Sequence, residues 1–73
     1  MKRYNKDKML ALLKKRGMTF PELAREVRMR TGNLCTTQTV KRWTEDTAPS
    51  ANILCALADV FGVKMEDFFS DGD

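Results

Sequence analysis

The chain has 73 residues, 42% of them hydrophobic and 32% charged, with a formal net charge of +3. That length lies near the lower limit at which an unaided core holds a fold, so residues 1–73 are read as one domain, with a core over about 5–69 and an acidic tail over 70–73. The apolar runs are far shorter than the roughly 20 residues of a membrane-spanning helix, and the basic start MKRYNKDK precedes an amphipathic segment without a small-residue cleavage site. Neither a membrane span nor a signal peptide is expected. Cys35 and Cys55 stand alone, with no histidine in the chain. They are too few for a tetrahedral zinc site and a poor disulfide framework, so the expectation is two reduced thiols in a cytoplasmic protein with no metal and no cofactor.

The modest net charge conceals a polarity. Residues 1–43 hold twelve Lys/Arg against Asp7, Glu22 and Glu26, a net +9, while residues 44–73 hold Lys64 against seven acids, a net −6. A basic half of this kind is an electrostatic footprint for a polyanion, although a solvated basic surface has the same composition.

In chain order, Asn5 is placed to cap a helix through DKMLALLKKR, with Asp7 in its first turn and basic residues in its last, which suits the helix dipole. Met9, Leu12, Leu13 and Arg16 follow helical spacing, and Gly17 is the stop. Thr19 to Glu22, TFPE, is a capping box with Pro21 in the first turn. Phe20, Leu23, Ala24 and Val27 give the second helix its apolar stripe, and small Ala24 lets another helix approach closely. Thr31-Gly32-Asn33 ends that helix, and Leu34 is expected to tuck into the core.

The stretch TTQTVKRW, Thr36 to Trp43, opens on a threonine cap and forms a helix over 37–45. Val40 and Trp43, three apart, share its inner face, so Trp43 reads as core and not as a base-stacking platform. Thr37, Gln38 and Lys41 then point outward. TEDTAPS is a loop, with Ser50 capping the next helix. In ANILCALADVF the residues Leu54, Leu57, Ala58 and Phe61 form a stripe flanked by Cys55; Gly62 closes the helix and Val63 folds back. KMEDFF supplies a short fifth helix with Phe68 or Phe69 as core plug. No strand pattern is visible, and five short helices predict an all-α orthogonal bundle.

The ordered set Leu23-Ala24, Thr36 to Trp43, Pro49-Ser50, Leu54, Leu57-Ala58, Phe61-Gly62-Val63 and Phe68-Phe69 resembles the helix-turn-helix domains of phage Cro and repressor type, which include the xenobiotic-response-element-like (XRE) bacterial regulators. The resemblance covers about Leu10 to Phe69. It implies a compact five-helix, lambda-repressor-like fold that binds double-stranded operator DNA in the cytoplasm, at the nucleoid, usually as a homodimer on a palindromic site. Carried over by position, Ala24, Val40, Trp43, Leu54, Leu57, Ala58 and Phe61 are structural anchors. Thr37, Gln38, Lys41 and Arg42 fall on base-reading positions. Thr36 and Thr39, with Thr19 and Phe20 at the start of the second helix, fall on phosphate positions.

The sequence departs from the pattern in three ways. Ala24 to Val40 spans sixteen residues, about six more than a tight helix-turn-helix needs, which lengthens the connection between helices 2 and 3. Arg28 stands where the turn glycine would be. The loop after the recognition helix lacks the usual Glu and Gly and is acidic where many relatives carry Lys or Arg. Arg25, Arg28 and Arg30 of the second helix are expected to compensate from the other side, with Arg28 and Arg30 assigned to phosphate.

Three classes of function compete. A sequence-specific regulator, repressor-like, is favoured by the basic half and the donor-rich helix, which fits a major groove about 12 Å wide. A protein-interaction module of the same fold, antitoxin-like or anti-repressor, is the alternative favoured by the acidic loop and tail. An enzyme is excluded: Cys35 would be the nucleophile and has no base to activate it. No small-molecule ligand is expected.

Overall fold

A computed structural model of the chain describes residues 2–45 and 47–71. Strand β1 (Lys2–Tyr4) leads into helices α1 (Lys6–Arg16), α2 (Phe20–Thr31), α3 (Thr37–Trp43) and α4 (Ala51–Phe61). A 3-10 turn (Met65–Phe68) and strand β2 (Phe69–Asp71) follow. The four long elements start where the caps place them. The Asn5 side chain accepts from the Asp7 N–H at 2.9 Å, and the Thr19–Glu22 capping box is closed in both directions. Ser50 caps α4 by accepting from the Ile53 N–H. Such caps satisfy N–H groups that have no partner inside the helix.

Helix α2 continues past Arg28 to Thr31 and ends on Gly32, whose φ of 72° puts its N–H on the Arg28 carbonyl at 2.9 Å. A side chain is strained in that left-handed conformation, which is why glycine stands there. The extra residues between Ala24 and Val40 are thus divided between a longer α2 and a folded connection.

One core cluster joins all the helices: Met9 and Leu13 from α1, Leu23, Ala24 and Val27 from α2, Val40 and Trp43 from α3, Leu54, Leu57, Ala58 and Phe61 from α4, with Cys35 and Phe68. Each large aliphatic or aromatic side chain removed from water contributes about 1.5–3 kcal/mol, the main support of so short a chain. Phe68 is the plug, set 6.2 Å from Phe61 between ring centroids, while Phe69 lies half-buried in β2.

Several expectations are corrected. The domain is not all-α: among the described residues there are four α-helices, because the fifth is a single 3-10 turn, and the two ends pair as an antiparallel ribbon with Lys2 opposite Asp71, Arg3 opposite Ser70 and Tyr4 opposite Phe69. The acidic tail thus begins as a strand at Ser70 and Asp71; its last two residues, 72 and 73, lie outside the described residues, as does Asp46 in the TEDTAPS loop. Helix α3 stops at Trp43 instead of residue 45, since the Thr44 hydroxyl and N–H both turn back to the Lys41 carbonyl, at 2.7 and 3.0 Å. Leu34 is 88% exposed and its neighbour Cys35 takes the core position. Cys35 is the single buried residue between Gly32 and Thr37, so it alone ties the connection to the core and Leu34 is left in solvent. Cys55, expected to flank the α4 stripe, is exposed.

Candidate nucleic-acid interface

Helix α3 is held by its inner face and its cap. Val40 is fully buried and Trp43 nearly so. The Thr36 hydroxyl accepts from the Thr39 N–H at 3.3 Å and lies 3.1 Å from the Thr39 hydroxyl. At the other end the Tyr4 hydroxyl donates to the Trp43 carbonyl. A seven-residue helix is marginal in isolation, so these anchors and not propensity hold it.

The face left over is coherent. Thr37, Gln38, Lys41 and Arg42 are all exposed, and their spacings of three and four make them neighbours on one surface. None of the four side chains forms a hydrogen bond or ion pair with another described residue. Around them, residues 27–44 carry Arg28, Arg30, Lys41 and Arg42 and no Asp or Glu. The surface offers donors of hydrogen bonds and positive charge, and of its four cations only Arg30 has an internal carboxylate partner, Glu26, among the described residues.

The residues assigned to phosphate are placed differently from one another. Thr36 and Thr39 sit together at the start of α3, spending their hydroxyls on the cap. One Arg28 nitrogen donates to the Cys35 carbonyl at 2.8 Å, clamping the connection against α2, which leaves the rest of its five donors outward. Arg30 pairs with Glu26 at 2.8 Å, an exposed i,i+4 contact of little energetic weight. At the start of α2 the Thr19 N–H and hydroxyl both donate to Glu22 Oε1, at 3.1 and 2.8 Å. The hydrogen bonds from Thr19 hold the Glu22 carboxyl below its usual range. Thr19 and Phe20 therefore stand beside a fixed negative charge.

The seven anchors Ala24, Val40, Trp43, Leu54, Leu57, Ala58 and Phe61 are all buried. What the sequence missed is the contribution of Tyr4 and of Arg28 to the frame of α3. Arg28 carried no signal beyond its charge, because its partner is a backbone carbonyl in the connection. The C-terminal apolar residues Val60, Val63, Met65 and Phe69 are half-buried against the core, and the large hydrophobics that stand exposed among the described residues are Met29 and Leu34.

A short helix packed on a longer one, with Val40 buried and its polar face exposed, is the arrangement of a helix-turn-helix domain. The profile of the Cro/C1-type HTH DNA-binding domain matches residues 8–72, and the chain belongs to that family, whose members are DNA-binding domains and not enzymes. Comparison with the curated proteins and with the solved structures gave no match. Among the described residues no helix is long and apolar enough to cross a membrane.

Proposed function

We propose that this chain is a sequence-specific transcriptional regulator, repressor-like, that reads the major groove with α3 and acts in the cytoplasm. The observation that carries the reading is the unpartnered face of Thr37, Gln38, Lys41 and Arg42 within a stretch free of acids. Gln38 suits the paired acceptor and donor of adenine, and Lys41 the two acceptors of guanine. Arg28, Arg30, Thr36 and Thr39 are assigned to phosphate on the flanks, where contacts set register more than sequence. Thr19 and Phe20 complete that set at the start of α2, working against the Glu22 charge.

One such domain spans few base pairs, so useful specificity asks for two half-sites about one helical turn, roughly 34 Å, apart. The half-buried residues Val60, Val63, Met65 and Phe69 form the seam of the proposed homodimer on a palindromic site. Selection of bound duplexes from a random pool at about 0.15 M salt tests both parts. An inverted repeat and a dimer mass on DNA are expected; a pool that stays random overturns the function, and a single half-site with a monomer mass overturns the dimer.

A second reading, a protein-binding module of the same fold, draws on the net −6 of residues 44–73. Salt separates the two. Neutralising several phosphates makes affinity for duplex DNA fall with a log–log slope of about −0.9 per phosphate, whereas a contact through a few acidic side chains gives a much shallower fall.

A further inference from the structure

Leu34 is the most exposed large hydrophobic side chain of the described residues, at 88%. A single surface leucine ordinarily means little. Leu34 differs by its place. It precedes the α3 cap Thr36 by two residues, in a connection held rigidly rather than hanging free. Its neighbour Cys35 is buried, the Arg28 guanidinium holds the Cys35 carbonyl at 2.8 Å, and Thr31 anchors the turn by accepting from the Asn33 N–H at 3.2 Å. The leucine is thus solvent-exposed three positions before Thr37, next in the chain to the exposed residues Thr36, Thr37 and Gln38 and inside the acid-free stretch 27–44.

The geometry points to Leu34 as a specificity-determining residue that packs on the C5-methyl group of a thymine in the major groove, an inference that rests on the DNA-reading function proposed above. The surrounding charge selects the occupant: Arg28, Arg30, Lys41 and Arg42 favour a polyanion, and the apolar groups a duplex exposes in its major groove are thymine methyls. Leucine neither donates nor accepts, so it distinguishes thymine from cytosine by the methyl and not by a hydrogen bond. Thr37 lies three positions beyond Leu34, a reach of at most about 10 Å, or about three base-pair steps. The thymine therefore lies within that distance of the base pair read by the first turn of α3.

The test uses the duplex selected by the full chain and replaces each thymine in turn by deoxyuridine, which keeps the pairing edge and O4 and removes only the methyl. For the wild type, one thymine per half-site is expected to lose about fourfold in affinity on this change, the worth of one buried methyl. Leu34→Ala should weaken the unmodified site by a similar factor, and the deoxyuridine at that position should then cost nothing more. That non-additivity is the signature of direct contact. Equal deoxyuridine penalties in wild type and Leu34→Ala at every position overturn the inference, as does a uniform loss of affinity on all sequences. A loss of self-association with an unchanged base profile overturns it too, assigning Leu34 to a protein contact. A wild type that selects no site is a separate failure, read on unmodified DNA, and takes the proposed function with it.

Discussion

The Tyr4 hydroxyl donates to the Trp43 carbonyl oxygen at 2.5 Å, joining the first strand to the last residue of α3 across 39 positions of sequence. The carbonyls of a last helical turn have no acceptor role inside the helix, and α3 is too short to spare one. The same ring meets Phe69 edge-on at 6.3 Å, so the terminal ribbon and the candidate reading helix share one residue.

Tyr4 therefore predicts an alkaline limit to stability. Burial pushes its phenol up to about 12 from an ordinary value of 10.0. The folded state thus holds the proton more tightly than the unfolded one. The contribution is fully present below pH 10.0 and is lost as pH rises through about 12. Tyr4 is the single tyrosine, so an ultraviolet titration of phenolate reads this residue alone. The expected midpoint is near 12 in the native protein, moving to the ordinary value in denaturant. Tyr4→Phe should cost about 0.5–1.5 kcal/mol at neutral pH and remove the alkaline decline assigned to this group. A native midpoint at the ordinary value would break the link between the ribbon and α3.

The helices were legible because each boundary is local chemistry. Asn5, the TFPE box, Thr36 and Ser50 cap by reaching two or three residues ahead, and Val40 and Trp43 announce an inner face by spacing alone. The ribbon was not legible. Two three-residue strands show no alternation, and KRY pairs with FSD only because the packed helices bring the ends together. Leu34 misled for a related reason: hydrophobicity argued for burial, while its neighbour Cys35 takes the one core position of the connection. The resemblance located the exposed side chains of α3, but it could not show that Arg28 is a clamp, since a cation bonded to a backbone carbonyl leaves no pairing residue in the sequence.

The two thiols should behave oppositely. Burial raises the Cys35 thiol above its ordinary pKa, against the opposing pull of Arg28, and the side chain is inside the core. Cys55 is exposed on α4. A water-soluble alkylating reagent at neutral pH is expected to modify Cys55 alone in the folded protein and both cysteines in denaturant. Since the reactive species is the thiolate, Cys35 modification should track unfolding. Mass spectrometry of protease fragments decides the matter, and rapid labelling of Cys35 under native conditions would contradict the packed connection.

Arg28 and Arg30 separate into a clamp and a surface charge. Arg28→Ala removes the bond to the Cys35 carbonyl and should lower stability by about 0.5–1.5 kcal/mol. Arg30→Ala loses only an exposed ion pair with Glu26 and should be nearly neutral for folding. On DNA, each is expected to weaken all sequences alike and to reduce the slope of log affinity against log salt by about one per lost phosphate contact. Slopes identical to the wild type would reduce Arg28 to its structural bond and Arg30 to a solvated charge.

The most direct probe of α3 sets its two faces against each other. Val40 is fully enclosed, so Val40→Asp places an unpaired charge in the core and should abolish folding, seen as loss of the helical circular-dichroism signal. Gln38 is exposed and without an internal partner, so Gln38→Ala should leave the melting curve within experimental scatter of the wild type. Its effect belongs to DNA alone. A bidentate pair with adenine is worth about 1–3 kcal/mol of discrimination, so the variant should lose preference at one base pair of each half-site and keep it elsewhere. Arg42→Ala, by contrast, flattens affinity evenly if its guanidinium meets phosphate, or relaxes a second base position if it reaches an edge. Base-by-base binding profiles of the wild type and the two variants distinguish these outcomes. Profiles of the same shape for wild type and Gln38→Ala would mean that Gln38 does not read bases, and that the outward face of α3 has been assigned to the wrong partner.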